Sequence, residues 1–168
     1  ESDLRGLIKR LLSQMEKQFV TEFDRLNGYF QQTFVRLFGG GQAELKLTDP
    51  NDPLCCGIEV VAQPPGKKLQ LLSLLSGGER ALTAIAILFA MLKVKPSPFC
   101  ILDEIEAALD DANISYFADY LVEFAKTTQF VVVTHRKGTM ERCDSLYGVA
   151  MEEKGVSSMV SVNLENYH

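Results

Sequence analysis

The chain has 168 residues, 46% hydrophobic and 23% charged, enough apolar material for one packed domain or one large lobe of a bigger one. That composition excludes disorder as the main state. The formal charge of −5, from 17 basic and 22 acidic residues, argues against a protein that coats nucleic acid by bulk charge.

The longest mostly apolar run, Ala81 to Leu92, is 12 residues including Thr83. A membrane span needs about 20, so this run reads as a buried helix. Neither a signal peptide nor a methionine opens the chain, which suggests a fragment or a processed product. The cysteines Cys55, Cys56, Cys100 and Cys143 have neither zinc-site spacing nor the density of a secreted scaffold. They read as small buried hydrophobes in a reducing, cytoplasmic setting.

From Leu4 to Leu37 the apolar positions Leu4, Ile8, Leu11, Met15, Phe19, Phe23, Leu26, Phe30, Phe34 and Leu37 step by three or four, a helical period close to 3.6. A helix over Leu4–Phe38 would be roughly 52 Å long at 1.5 Å per residue, beyond the ~30 Å of a small domain, so one end is expected to project. The spacing is not a strict heptad. Both a coiled-coil arm and a helix laid along a sheet fit it.

Gly39-Gly40-Gly41 stops the helix. Ala43, Leu45 and Leu47 alternate with Glu44, Lys46 and Thr48, predicting a strand with one wet face. The turn cluster Asp49-Pro50-Asn51-Asp52-Pro53 joins it to a second strand near Gly57 to Gln63, forming a hairpin. A loop at Pro64 to Lys68 and an apolar stretch at Leu69 to Leu75 follow. Phe99 to Leu102 and Phe130 to Val133 are short unbroken apolar runs, as expected of strands buried on both faces. Ile114, Phe117, Leu121 and Phe124 between them step as an amphipathic helix, predicting a βαβ unit with parallel strands and a right-handed crossover. A last hairpin is predicted from Leu146 to Met151, a turn at Lys154-Gly155, and alternating Val160, Val162 and Leu164.

Three places carry chemistry. Leu75-Ser76-Gly77-Gly78-Glu79-Arg80 precedes the apolar helix, and Ser76 with Glu79 fits a capping box. Glycines at the first helical positions each cost roughly 1 kcal/mol against alanine, which makes sense where an anion approaches the bare N–H groups. Capping alone remains an alternative. Asp103-Glu104 ends a predicted parallel strand at its carboxyl end, the edge where ligands bind in open sheets. Asp103 is a candidate Mg²⁺ ligand and Glu104 a candidate for polarising water, against the alternative of a solvated helix cap. Thr134-His135 ends the second strand, so His135 is expected at the same edge, within reach of a terminal phosphate. Metal ligation by His135 is disfavoured because the other histidine, His168, is the last residue. A phosphate loop, Gly-x-x-x-x-Gly-Lys-Ser/Thr, is missing: the only Gly-Lys pair is Gly66-Lys67, followed by Lys68, with Val61 where the first glycine belongs.

As a set, in this order and spacing, these segments resemble the ABC-type ATPases. Leu75-Ser76-Gly77-Gly78-Glu79 resembles their signature motif, Cys100-Ile101-Leu102-Asp103-Glu104 their Walker B, Ala108-Leu109-Asp110 their D-loop and Thr134-His135 their switch histidine. Glu79 in place of glutamine, with the stretches Gly57–Leu69 and Thr134–Glu141, is similar to the carboxyl-terminal half of a bacterial SMC (structural maintenance of chromosomes) head. The resemblance implies an α/β lobe of an ABC-type ATPase head over residues 39–168, with buried parallel strands, flanking helices and β-hairpins. It also implies a coiled-coil neck helix over residues 1–38.

For function, it implies ATP and Mg²⁺ as ligands of a complete, dimerised head in chromosome condensation and segregation. Ser76, Gly77, Gly78 and Glu79 would face ATP held by a second head, Asp103 would hold Mg²⁺, and Glu104 and His135 would act on the ATP of their own head. Asp110 would lie near the dimer seam. Implied partners are the amino-terminal half of the same head, a second SMC head, and kleisin on the helix around Met15 to Phe30 or on the last hairpin. This piece alone, lacking the phosphate loop, is expected to be inactive. DNA contact is weakly indicated by Lys67-Lys68, Lys93, Lys95 and Arg136-Lys137, which solvated loops also explain. A head of a double-strand-break repair ATPase and an idle kleisin-binding module are the competing readings.

Overall fold

The computed structural model describes residues 2–163. The first helix, α1, runs Ser2–Phe38 and its apolar stripe divides in two. Leu4, Ile8, Leu11 and Met15 are exposed, whereas Phe30, Phe34 and Leu37 are fully buried. The buried part packs on α2 (Gly77–Val94), on β1 (Gln42–Leu47) and on α3 (Asp111–Phe124). The projecting arm and the helix laid on the core are therefore two ends of one element.

The stop after Phe38 is a backbone device: Gly39, Gly40 and Gly41 all take positive φ, and the Gly40 N–H returns to the Val35 carbonyl at 2.9 Å. At Gly41 a Cβ would sit 2.3 Å from the Gln63 carbonyl oxygen, so only glycine fits.

β1 pairs antiparallel with β2 (Ile58–Gln63), and β2 with the short β3 (Gln70–Leu71), making three strands where the sequence pattern indicated a hairpin. Ala43 and Leu45 point inward while Glu44 and Lys46 stay in water, as the alternation predicts. A 3₁₀ turn, Leu72–Leu74, leads to α2. β4 (Phe99–Asp103) and β5 (Gln129–Val133) pair in parallel around α3, Phe99 opposite Gln129 through Asp103 opposite Val133. After the short α4 (Lys137–Met140), β6 (Ser145–Glu153) and β7 (Val156–Asn163) form the last hairpin. Leu164 of the predicted alternation lies outside the described residues.

Phe89 of α2 is the hub of the core, with the rings of Phe117, Tyr120, Phe124 and Phe130 at 6.2, 5.1, 5.7 and 6.1 Å between centroids. A buried hydroxyl contact, Thr33 Oγ1 to Tyr120 Oη at 3.1 Å, ties α1 to α3.

Two expectations need correction. β4 and β5 are covered on one face only: Leu102 is buried, but Phe99, Ile101, Val131 and Val133 are 50 to 63% exposed. The apolar run that signals two covered faces is present, and among the described residues nothing lies over the second one. The cysteines are not buried either. Cys55 is exposed and Cys56, Cys100 and Cys143 are half-buried, all as free thiols. Cys55 and Cys56 sit in the turn before β2, and Cys100 on the incompletely covered sheet. Burial still pushes the Cys100 and Cys143 thiols above their ordinary range.

Candidate functional site

The start of α2 is built by the predicted capping box. Ser76, in extended conformation, accepts the Glu79 N–H on its hydroxyl oxygen at 3.4 Å, and Glu79 Oε2 accepts the Ser76 N–H at 3.0 Å and its hydroxyl at 2.6 Å. Lys67 adds its ammonium to the same carboxylate at 2.9 Å. Burial alone would raise the Glu79 pKa, but the bonds from Ser76 and Lys67 outweigh it and hold the carboxyl below its ordinary value.

The two glycines turn out to differ. A Cβ on Gly77 would meet nothing within 4 Å, so this position is open to a ligand. A Cβ on Gly78 would meet the Ala108 carbonyl at 3.2 Å, so Gly78 is explained at least in part by packing within the chain.

At the carboxyl ends of β4 and β5, Asp103, Glu104 and His135 meet at one edge, as predicted. The ladder continues one step past the strand, Glu104 N–H to Val133 carbonyl at 2.9 Å. His135 Nδ1 lies 3.3 Å from Glu104 Oε1, with both side chains more than half exposed. Glu104 carries the only positive φ, +48°, of any non-glycine residue among those described. A left-handed glutamate costs roughly 1–2 kcal/mol, and such strain concentrates where function needs a fixed geometry. Nothing in the sequence pattern announces it.

Asp110 caps α3, accepting the Asn113 N–H at 2.8 Å, so its carboxylate has a structural task. The loop between Glu104 and Asp110 is held by two residues that motif reading passes over. The Arg136 guanidinium donates from Nη2 to the carbonyls of Ala107 at 2.9 Å and Leu109 at 3.0 Å. Glu106, buried to 1% exposure, accepts the Thr139 hydroxyl at 3.2 Å. The one advance sign of Arg136 was a basic residue directly after His135, there grouped with surface lysines.

Among the described residues no cluster of three or more His, Cys, Asp or Glu could hold a metal ion by itself. The exposed carboxylates of Asp103 and Glu104 suit Mg²⁺ in another way, as one or two hard oxygen ligands beside substrate phosphates.

The family described as "RecF/RecN/SMC N terminal domain" matches residues 5–158. A solved structure from work on the ATP-driven dimerization and DNA stimulated activation of SMC ATPases superposes with a TM-score of 0.83 at 41% identity, covering 90% of this chain and 92% of that one. The chain belongs to the SMC family.

The Chromosome partition protein Smc of Bacillus subtilis (strain 168) is 61% identical over 98% of the chain. That of Rhodopseudomonas palustris is 51% identical over 96%. The chain spans 14% of the length of each of these relatives. It also resembles, with a TM-score of 0.88 and 40% identity over 99% of its length, 42% of an Smc head domain with an extended coiled coil from Pyrococcus furiosus, bound to the C-terminal domain of ScpA. The mixed fold with its long first helix, parallel pair and hairpins is thus that of an SMC head.

Proposed function

We propose that this chain is the carboxyl-terminal half of an SMC head that hydrolyses ATP once its amino-terminal half supplies the phosphate loop and a second head closes on it, in the service of chromosome partition. The observation that carries this is the Asp103–Glu104–His135 edge, with Glu104 held at φ +48° beside the imidazole. Residues 39–168 form the lobe of the head and residues 1–38 the neck of the coiled coil.

The chemistry follows from the geometry. Glu104 stands at the end of the parallel pair, where its carboxylate orients an attacking water and accepts its proton. His135, with Nδ1 engaged by Glu104, keeps Nε2 for a terminal phosphate oxygen. Asp103 would hold Mg²⁺, which would neutralise phosphate charge there. Gly77 offers a backbone N–H at the α2 start to phosphate held by the facing head, supported by the open space there. Ser76, whose hydroxyl is engaged by Glu79, sets the turn and would have to rotate that proton away to bond phosphate itself. Gly78 and Glu79 shape that turn, and Asp110 lies at the seam. Because this chemistry is positioning plus charge stabilisation, the chain without a phosphate loop binds ATP negligibly and turns over none.

Kleisin has two bare surfaces to choose from. One is α1, where a groove lined by Phe19, Phe23, Leu26, Ile58, Met91 and Val94 runs beside the exposed stripe. The other is the last hairpin, with Tyr147, Val149, Met159 and Val160 exposed. DNA binding by this piece is weak or absent: Lys67 pairs with Glu79, Lys93 lies 5.4 Å over the Tyr120 ring, and Lys137 pairs with Glu141. The setting proposed is the cytoplasm, where a relative of the Chromosome partition protein Smc would meet the chromosome.

The test is Glu104→Gln in the full-length protein. Retained ATP binding, stalled hydrolysis and accumulated dimers by size-exclusion chromatography are expected. Unchanged turnover refutes the site.

A further inference from the structure

The contacts around Arg136 join features described separately so far. His135 and Glu104 form one pair, and the next residue, Arg136, reaches across to residues 107–109 instead of to solvent. Its backbone N–H is fixed by the Thr134 hydroxyl at 3.0 Å, its Nη1 lies 3.9 Å from Asp111, and its Nε is buried with no partner among the described residues. The two carbonyls it binds flank Ala108. The Ala108 carbonyl is the atom that approaches the Gly78 position, 3.2 Å from where a Cβ would stand. Leu109 is buried in the core, and the Glu106–Thr139 bond ties the same loop to α4 a second time. Arg136 thus follows His135 directly and holds the carbonyls on either side of Ala108, whose own carbonyl stands next to Gly78 in the first turn of α2.

The geometry points to Arg136 as a positioning residue: by holding the Ala107 and Leu109 carbonyls it sets Ala108 against Gly78, and so couples the Glu104–His135 edge to the phosphate-facing start of α2. This rests on the proposed ATPase reading of both ends. One edge serves the nucleotide of its own head and the other that of the facing head, so the relay lets each site register whether its neighbour is correctly assembled. Arg136 touches no reacting atom. Its loss therefore lowers the rate of the assembled dimer and leaves nucleotide affinity nearly intact. Gly78→Ala pushes on the same carbonyl from the opposite side and produces the same defect.

The experiment uses the full-length protein with ATP and Mg²⁺, measuring kcat, KM and melting temperature for Arg136→Met, Arg136→Lys, Gly78→Ala and the double variant Arg136→Met/Gly78→Ala. Glu104→Gln is the reference for the site itself. About a ten-fold loss of kcat is expected in Arg136→Met, with KM within about two-fold, since the lost contacts act on positioning; Gly78→Ala, in the phosphate-facing turn itself, is expected to lose kcat at least as much. The double variant is expected to be no slower than the slower single, as for residues acting through one unit. Arg136→Lys, whose ammonium still reaches a carbonyl, is expected to recover at least about three-fold over Arg136→Met.

Full kcat in a folded Arg136→Met overturns the proposal, and so does a roughly hundred-fold, multiplicative loss in the double variant. If Arg136→Met does not fold, Arg136→Lys and Gly78→Ala carry the same criterion: wild-type kcat in both overturns it. Turnover surviving Glu104→Gln rejects the proposed site, whereas abolished turnover there with unaffected Arg136 variants rejects the relay alone.

Discussion

Glu104 combines the most strained backbone among the described non-glycine residues with the central place in the proposed site, so its substitution by glycine separates stability from activity. The left-handed φ of +48° costs a glutamate roughly 1–2 kcal/mol, which glycine does not incur. Against this, glycine adds about 0.5–1 kcal/mol of chain entropy to lose on folding. The lost contact to His135 contributes ~0, because its side chains are 64% and 53% exposed and solvent screens the pair.

Glu104→Gly is therefore expected to stabilise the chain by about 0.5–1 kcal/mol, raising the melting temperature by about 2–3 °C for a protein of this size. With no tryptophan in the sequence, the assay is the helical circular dichroism signal in thermal and urea unfolding. Glu104→Gln, which keeps the strain, is the control and is expected within about 1 °C of wild type. A glycine variant that melts at or below wild type refutes the claim that this backbone is strained for the sake of function.

Four other outcomes follow from particular contacts. Phe89→Ala removes the ring at the centre of the aromatic core and is expected to cost about 3–5 kcal/mol, read as loss of cooperative unfolding. Ser76→Ala removes the cap of α2 and costs about 1 kcal/mol in urea titration. Glu79 has a lowered folded pKa, so the stability it contributes is present above its unfolded value and is lost as pH falls through the folded one. Lys67→Met is accordingly expected to move the acid unfolding transition to higher pH. Ile101→Lys on the bare sheet face is expected to leave the chain folded while blocking association with the amino-terminal half, scored by co-purification.

What could be read in advance was whatever is local in sequence. The helical stripe of α1, the Ser76–Glu79 box and the β4–α3–β5 unit each follow from spacing within one contiguous stretch of chain, and the structure reproduces them. The edge that brings His135 to Glu104 was also legible, because both close strands of one parallel pair. Burial was not. Ile101 and Val131 read as core yet stand exposed among the described residues, because an apolar run looks the same whether one face of its sheet is covered or both. Arg136, Glu106 and the Lys67–Glu79 pair depend on contacts 12 to 33 residues apart in sequence, between loops whose paths no periodicity encodes. The positive φ of Glu104 occurs where its N–H bonds Val133 just past the end of β4, a contact that exists only in the assembled sheet.

The central claim is that Glu104 serves an ATPase divided between two pieces of chain. Its most direct test mixes this chain with a separately purified amino-terminal half of the head and measures phosphate release from ATP, with Glu104→Gln as control. The account predicts activity in the mixture only, abolished by the substitution. A well-folded complex that releases no phosphate, or one whose activity survives Glu104→Gln, contradicts it.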